Sequence, residues 1–191
     1  MIVLASSSPR RKFLLEMLGI EHEVMPADVD ERREPGELPQ TMAVRLAADK
    51  ARAVWKQRPD DYVLAADTVV VLGGDVLGKP VDAADASRML SRLSGRDHRV
   101  VTAVALARPG GDVLERCDVT RVWFRTLTPD VIEAYVATGE PLDKAGSYGV
   151  QGFGGVLIER VDGDFFGVMG LPIRLVGDLL EAAGRPYRFT R

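Results

Sequence analysis

The chain has 191 residues, of which 46% are hydrophobic and 28% charged, with a formal net charge of −3. This suits one sizeable globular domain, or two lobes sharing a core, and argues against a general nucleic-acid binder, which carries a positive excess. No run of about 18 apolar residues offers a membrane span, and with Cys117 as the only cysteine there is no internal disulfide, which favours a reducing cytoplasm.

Met1–Ala5 is a short apolar strand candidate, shorter than the core of a signal peptide. A helix is predicted from Pro9 to Leu18, with Ser8 as N-cap, Pro9 at the first helical position and Gly19 just past the end. Its first turn holds Arg10, Arg11 and Lys12, although the helix dipole favours acids there. His22–Met25 reads as a second strand. Asp28–Gln40 is polar and proline-punctuated, and reads as a loop. A second helix is predicted over Thr41–Gln57. Arg45, Asp49, Arg52 and Lys56 fall on one narrow polar face, with Ala43, Leu46, Ala47, Ala53 and Val54 opposite. Lys50 lies in the middle of the apolar arc.

Tyr62–Leu72 is an apolar run rich in β-branched residues, so a buried strand, and Gly73-Gly74 turns it back into Asp75–Leu77. Asp82 caps a helix ending at Leu93. Arg99–Ala107 and Val113–Arg125 read as an antiparallel pair, joined through Pro109-Gly110-Gly111. Thr128-Pro129-Asp130 opens a helix that ends near Gly139. The glycine-rich KAGSYGVQGFGG follows, then a strand at Val156–Val161, a helix at Leu171–Ala183 and a short strand at Tyr187–Phe189. Strands and helices alternate with hairpins between them, so the fold class is α/β with a mixed twisted sheet flanked by helices. Residues 1–191 are expected to form a single domain with an internal cleft.

Four features do not fit a plain structural role. The cations at the first helix start would be reconciled with the dipole by a bound polyanion: helix N–H groups, serine hydroxyls and two arginines make a phosphate cradle. Lys50 needs an anionic partner, since an unpaired buried ammonium is costly, and a phosphate would serve. Asp67, inside the buried run AADTVV, must be hydrogen-bonded, metal-bound or catalytic. Glu31 and Asp30, in DVDERRE, could add carboxylates or be ordinary loop charges. Gln151 stands among glycines, where an amide can read the edge of a base. One cysteine and two histidines cannot build a zinc site, so any metal here is a hard cation held by carboxylates. No GxxxxGK[ST] occurs, which argues against P-loop chemistry. Phosphate cations, hard-metal carboxylates and a base-reading loop together suggest a nucleotide polyphosphate hydrolase.

In LASSSPRRKFLL, the DVDE loop, RLAADKA, AADTVV, GKP, LSG, EPLDKAGSYGVQG and GLP the sequence resembles the Maf nucleoside triphosphate pyrophosphatases, from Leu4 to about Leu180. The resemblance implies a Maf-like, inosine-triphosphatase-like fold with a central cleft. It also implies hydrolysis between the α and β phosphates of dTTP and UTP, giving monophosphate and pyrophosphate. Under it, Asp67 is the catalytic proton acceptor. Arg11, Thr68 and Gln151 are tied to base specificity, and Ser8, Arg10, Glu31, Lys50 and Lys79 are further pocket residues. The loop GSYGVQG matches the branch that acts on dTTP and UTP. A divalent cation, Mg²⁺ or Mn²⁺, held by Glu31 and Asp67 would polarise the phosphate. The implied setting is cytoplasmic and the implied assembly a homodimer, with a nucleotide as partner and neither membrane nor nucleic acid. Two alternatives remain open at this point: a pyrophosphatase for another non-standard nucleotide, and a non-catalytic nucleotide-binding regulator of cell division.

Overall fold

The structure, a computed structural model, describes residues 1–189. In chain order the elements are β1 (Ile2–Leu4), α1 (Pro9–Met17), β2 (Glu23–Val24), α2 (Pro39–Trp55), β3 (Tyr62–Leu72), β4 (Asp75–Leu77), α3 (Ala83–Leu93), β5 (Asp97–Ala107), β6 (Val113–Phe124), α4 (Pro129–Ala137), β7 (Ile158–Asp162), α5 (Phe165–Met169) and α6 (Ile173–Ala182). Three short 3₁₀ turns, Glu140–Asp143, Ala145–Ser147 and Phe153–Leu157, lie between α4 and β7. The strands pair in the order β2-β1-β3-β5-β6-β7, with β4 on β3. The pairing is parallel for β1 with β2 and β3, and antiparallel for β3 with β4 and for β6 with β7. The fold is therefore mixed α/β, as the sequence pattern predicts. No helix among the described residues is long and apolar enough to cross a membrane.

Contacts gather into two compact units. The first comprises Met1–Asp67, Thr102–Asp118 and the chain from Gly170 onward; the second comprises Thr68–Val101 and Val119–Met169. In the first, β1 is buried along its length and pairs in register with β3, Ile2 with Tyr62 and Leu4 with Leu64. Strands buried on both faces read as continuous apolar runs, and YVLAADTVVVL is one. Helix α6 buries Leu175, Val176, Leu179 and Leu180, one stripe at helical spacing.

In the second unit, the β3–β4 hairpin turns at Gly73 (φ 66°) and Gly74 (φ 139°), a backbone that side chains other than glycine rarely adopt. Helix α3 is capped by Asp82, whose Oδ1 accepts the Asp85 N–H at 2.7 Å. The core gathers Val70, Leu72, Leu77, Leu90, Leu93, Phe124, Tyr135 and Tyr148. Within it His98, Phe124 and Tyr148 meet edge to face, with ring centroids 4.8–5.4 Å apart.

Local details differ from the sequence expectations. Helix α2 starts at Pro39 rather than Thr41: Leu38 is extended and Pro39, with its fixed φ, opens the first turn, so the proline that looked like loop punctuation begins the helix. Val156 and Leu157 close a 3₁₀ turn, and the strand begins at Ile158. Helix α5 was not foreseen; its first turn forms because the Asp164 side chain accepts the Gly167 N–H at 2.9 Å. Tyr187–Phe189 is not a strand, since Tyr187 is held by its side chain, whose hydroxyl donates to the Leu18 carbonyl at 2.7 Å. Ser8 does occupy the N-cap of α1, but its side chain makes no capping bond.

Candidate active site

Asp67 lies in β3 and is 7% exposed. Its Oδ1 accepts a hydrogen bond from Lys50 Nζ at 2.7 Å, and Glu31 Oε1 lies 2.6 Å from the same nitrogen. Lys50 is itself 8% exposed, one helical turn from Leu46 and from Val54, both buried on α2. The buried ammonium that the helical pattern exposes as anomalous thus has two carboxylates as partners. A phosphate is not needed to account for its burial, which corrects the expectation drawn from sequence. Lys50 and Asp67 each offset part of the other's desolvation cost, and the largely exposed Glu31 adds a second anion; removing Lys50 leaves the buried Asp67 carboxylate uncompensated.

The start of α1 belongs to the same unit. Arg11 Nε donates to the Gly170 carbonyl at 2.8 Å, and Nη1 donates to Ser6 Oγ at 3.2 Å. Burial above all lowers the Arg11 guanidinium below its usual value; the Asp67 carboxylate opposes this, Arg10 adds to it and Glu31 opposes it. Arg11 therefore feels Asp67, Arg10 and Glu31 electrostatically, and Lys50 touches both acids. Ser6 was not singled out in the sequence. It accepts from both Arg11 and the Ser8 N–H, the latter at 3.2 Å, and so braces the turn that carries Ser8 and Arg10. Gly170, in the GLP motif, has φ 110°, where glycine is favoured. Lys12 instead turns outward to an exposed i,i+4 pair with Glu16 at 3.6 Å.

Glu31 comes from the polar loop before α2, and that loop is tied down. Arg45 on α2 donates to both oxygens of Glu37, at 2.7 and 2.8 Å, and to the Arg32 carbonyl at 3.1 Å. The Arg45 hydrogen bonds outweigh partial burial and hold the Glu37 carboxyl down to about 2. Asp30 does not join Asp67; its carboxylate grips Arg32, whose hydrogen bonds bring it to about 2. One helix thus supplies both the ammonium, Lys50, and the anchor for the loop that brings Glu31 to it.

Thr68, Lys79 and Gln151 lie in the second unit. Thr68 follows Asp67 along β3 and is half-buried. Lys79 is exposed, just after β4. Gln151 is exposed between two of the 3₁₀ turns. The structure brings Glu31, Lys50 and Asp67 into contact, with Arg11 in the field of both acids and Arg10 in that of Arg11; Ser8 adjoins that group through Ser6.

The fold matches that of a solved structure, the Ham1 protein of Staphylococcus aureus, with a TM-score of 0.53 at 17% identity over 95% of this chain and 98% of that one. A family model described as Maf-like protein matches residues 1–183, and the chain belongs to the Maf family. A protein of Syntrophomonas wolfei named dTTP/UTP pyrophosphatase is 50% identical over 182 residues, covering 95% of this chain and 96% of its own. A protein of Escherichia coli with the same name is 49% identical over 181 residues, 94% and 91% of the two chains.

Proposed function

We propose that this protein is a nucleoside triphosphate pyrophosphatase that hydrolyses dTTP and UTP to the monophosphate and pyrophosphate. The observation that carries the reading is the identity of about half the residues, over nearly the whole chain, with relatives bearing that name. The geometry supports it: a buried acid, Asp67, contacts an ammonium while Arg11 stands in the field of both acids.

In this reading Asp67 orients the attacking water and takes its proton as the new P–O bond forms and the α–β anhydride bond breaks. Lys50 has three N–H donors, of which two face Asp67 and Glu31, leaving one for a phosphate oxygen. Arg10 and Arg11, with Ser8, bind the triphosphate and offset the charge that grows on the departing pyrophosphate, and the family resemblance adds Lys79 to them. The same resemblance assigns Arg11, Thr68 and Gln151 to reading the pyrimidine; a base that leaves such polar groups unpaired is disfavoured.

The residues also fit a hard divalent cation. Among the described residues no cluster of three or more His, Cys, Asp or Glu side chains forms a metal cage. Mg²⁺, however, is commonly held by one or two carboxylates together with substrate phosphates, and Glu31 and Asp67 already converge on one cation, the Lys50 ammonium. Bound there, Mg²⁺ or Mn²⁺ would supply Lewis-acid polarisation of the phosphate. The cytoplasmic setting and the homodimer belong to the same reading and rest on the family resemblance.

The test is purified protein with each of the common and several modified triphosphates, plus Mg²⁺ or Mn²⁺, scoring monophosphate and pyrophosphate. Equal amounts of the two products, fastest from dTTP and UTP, are expected. Release of orthophosphate, or equal rates on purine triphosphates, would overturn the proposal.

A further inference from the structure

The loop that carries Gln151 is fastened after it to the Glu140 carboxylate and before it to the Tyr135 hydroxyl that donates to that carboxylate. Glu140 Oε2 accepts the Phe153 N–H at 2.9 Å, and Oε1 accepts the Gly154 N–H at 3.0 Å and the Tyr135 hydroxyl at 2.8 Å. The same Tyr135 oxygen accepts the Gly149 N–H at 3.2 Å. Gly149 and Phe153 lie two residues before and after Gln151, so the amide has little freedom to drift while these bonds hold. Lys144 closes the base of the arrangement by donating to the Glu140 carbonyl at 2.6 Å.

The glycines on this loop answer to the same contacts. A Cβ on Gly152 would lie 2.2 Å from Glu140 Oε2, and one on Gly154 would lie 2.6 Å from the Tyr135 hydroxyl. Gly152 and Gly154 thus let the backbone lie directly on the carboxylate and phenol. The glycine spacing makes this stretch a close-approach surface. Partial burial alone would raise the Glu140 carboxyl; the Gly154 and Phe153 N–H groups, the Tyr135 hydroxyl and the Lys144 charge outweigh it and hold the group below its usual range. Burial first, then the bond to Glu140, pushes the Tyr135 phenol up, so it stays a donor.

We infer that Glu140 and Tyr135 are positioning residues for base selection: together they set the place of Gln151, and through it the preference for one pyrimidine edge over another. The inference rests on the proposed function, because it takes Gln151 as the residue that reads the base. Neither Glu140 nor Tyr135 is asked to touch the substrate.

Two conservative variants separate this from a general structural role. Glu140→Gln keeps the size of the side chain but turns one of its two acceptor positions into a donor facing an N–H or O–H. Tyr135→Phe removes only the bridging hydroxyl. Each is measured for kcat and KM on dTTP and on dCTP, which share sugar and triphosphate and differ at the base edge, and for amide hydrogen exchange over residues 146–155. In both variants exchange in that segment should rise, and the dTTP-to-dCTP ratio of kcat/KM should fall about tenfold or more, through KM. A loss that is equal on the two substrates, or a ratio that stays at the wild-type value, overturns the inference. So does unchanged exchange, which is read without substrate and holds whether or not the protein turns over dTTP. A wild-type protein with no preference for dTTP over dCTP overturns base selection at Gln151 itself; the exchange data then report separately on whether Glu140 pins the loop.

Discussion

His98 offers a stability prediction with a definite sign and size. It lies on β5, 1% exposed, with Nε2 2.7 Å from the Tyr148 hydroxyl and Nδ1 buried without a partner among the described residues. Burial pulls the imidazole from 6.5 down to about 4, and the nearby Asp97 carboxylate only partly opposes this. An unfolded histidine keeps its ordinary value. Between pH 6.5 and about 4 the unfolded chain therefore holds a proton that the folded chain refuses. The stabilisation is complete above that window and is lost as pH falls through it. At about 1.4 kcal/mol per pH unit the gap amounts to about 3 kcal/mol. The assay is urea denaturation of the wild type and of His98→Leu at pH 7 and pH 4. The stability difference, wild type minus variant, should shrink by about 3 kcal/mol on going to pH 4. Carboxylates such as Glu37 that titrate toward acid are present in both proteins and cancel. A change below about 1 kcal/mol would show that the ring is already charged, or solvated, in the fold.

Asp67→Asn should abolish turnover while nucleotide binding, followed by calorimetry, largely survives; near-normal kcat would remove Asp67 from its role. Lys50→Met leaves a buried carboxylate without its cation, so urea denaturation should show a loss of about 3 kcal/mol together with weaker triphosphate binding. An unchanged midpoint would mean that water replaces the ammonium freely. Arg45→Met frees the loop bearing Glu31 and should raise KM several-fold and lower the melting temperature, because the Glu37 carboxylate loses the cation that favours its charged form; a KM equal to wild type would show that Glu31 is placed by some other contact. Gly163→Ala forces a side chain onto φ 129° with its Cβ 2.4 Å from Thr120 Oγ1, and should cost about 1–3 kcal/mol by thermal denaturation.

Patterns that depend on neighbouring residues were legible in the sequence. β3, β4 and the Asp82-capped α3 follow from β-branched runs, a glycine pair and a short capping side chain, and the structure keeps those bounds. Lys50 was legible as buried because helical periodicity is a local property. Its partners were not. Glu31 is named by the resemblance, but no local pattern says that it meets Lys50; the loop that carries it is tied to α2 by the Arg45–Glu37 bond, which forms in the fold. The role of Gly170 is hidden for the same reason: the Arg11 contact that reveals it spans 159 positions. The start of α2 was misplaced because proline carries opposite meanings in a loop and at the first position of a helix. In the Gln151 loop the space beside Gly152 and Gly154 is taken by Glu140 and Tyr135, contacts that no local pattern shows.

The placement of Lys50 between Glu31 and Asp67 has a consequence for handling the protein. Its deepest carboxylate travels with an internal counter-ion, so the folded state is not hostage to the supply of any dissolved ion. Stripping such ions with a chelator should silence the reaction and leave the melting curve where it was, the reverse of a zinc-stapled domain, in which the same treatment undoes the fold itself.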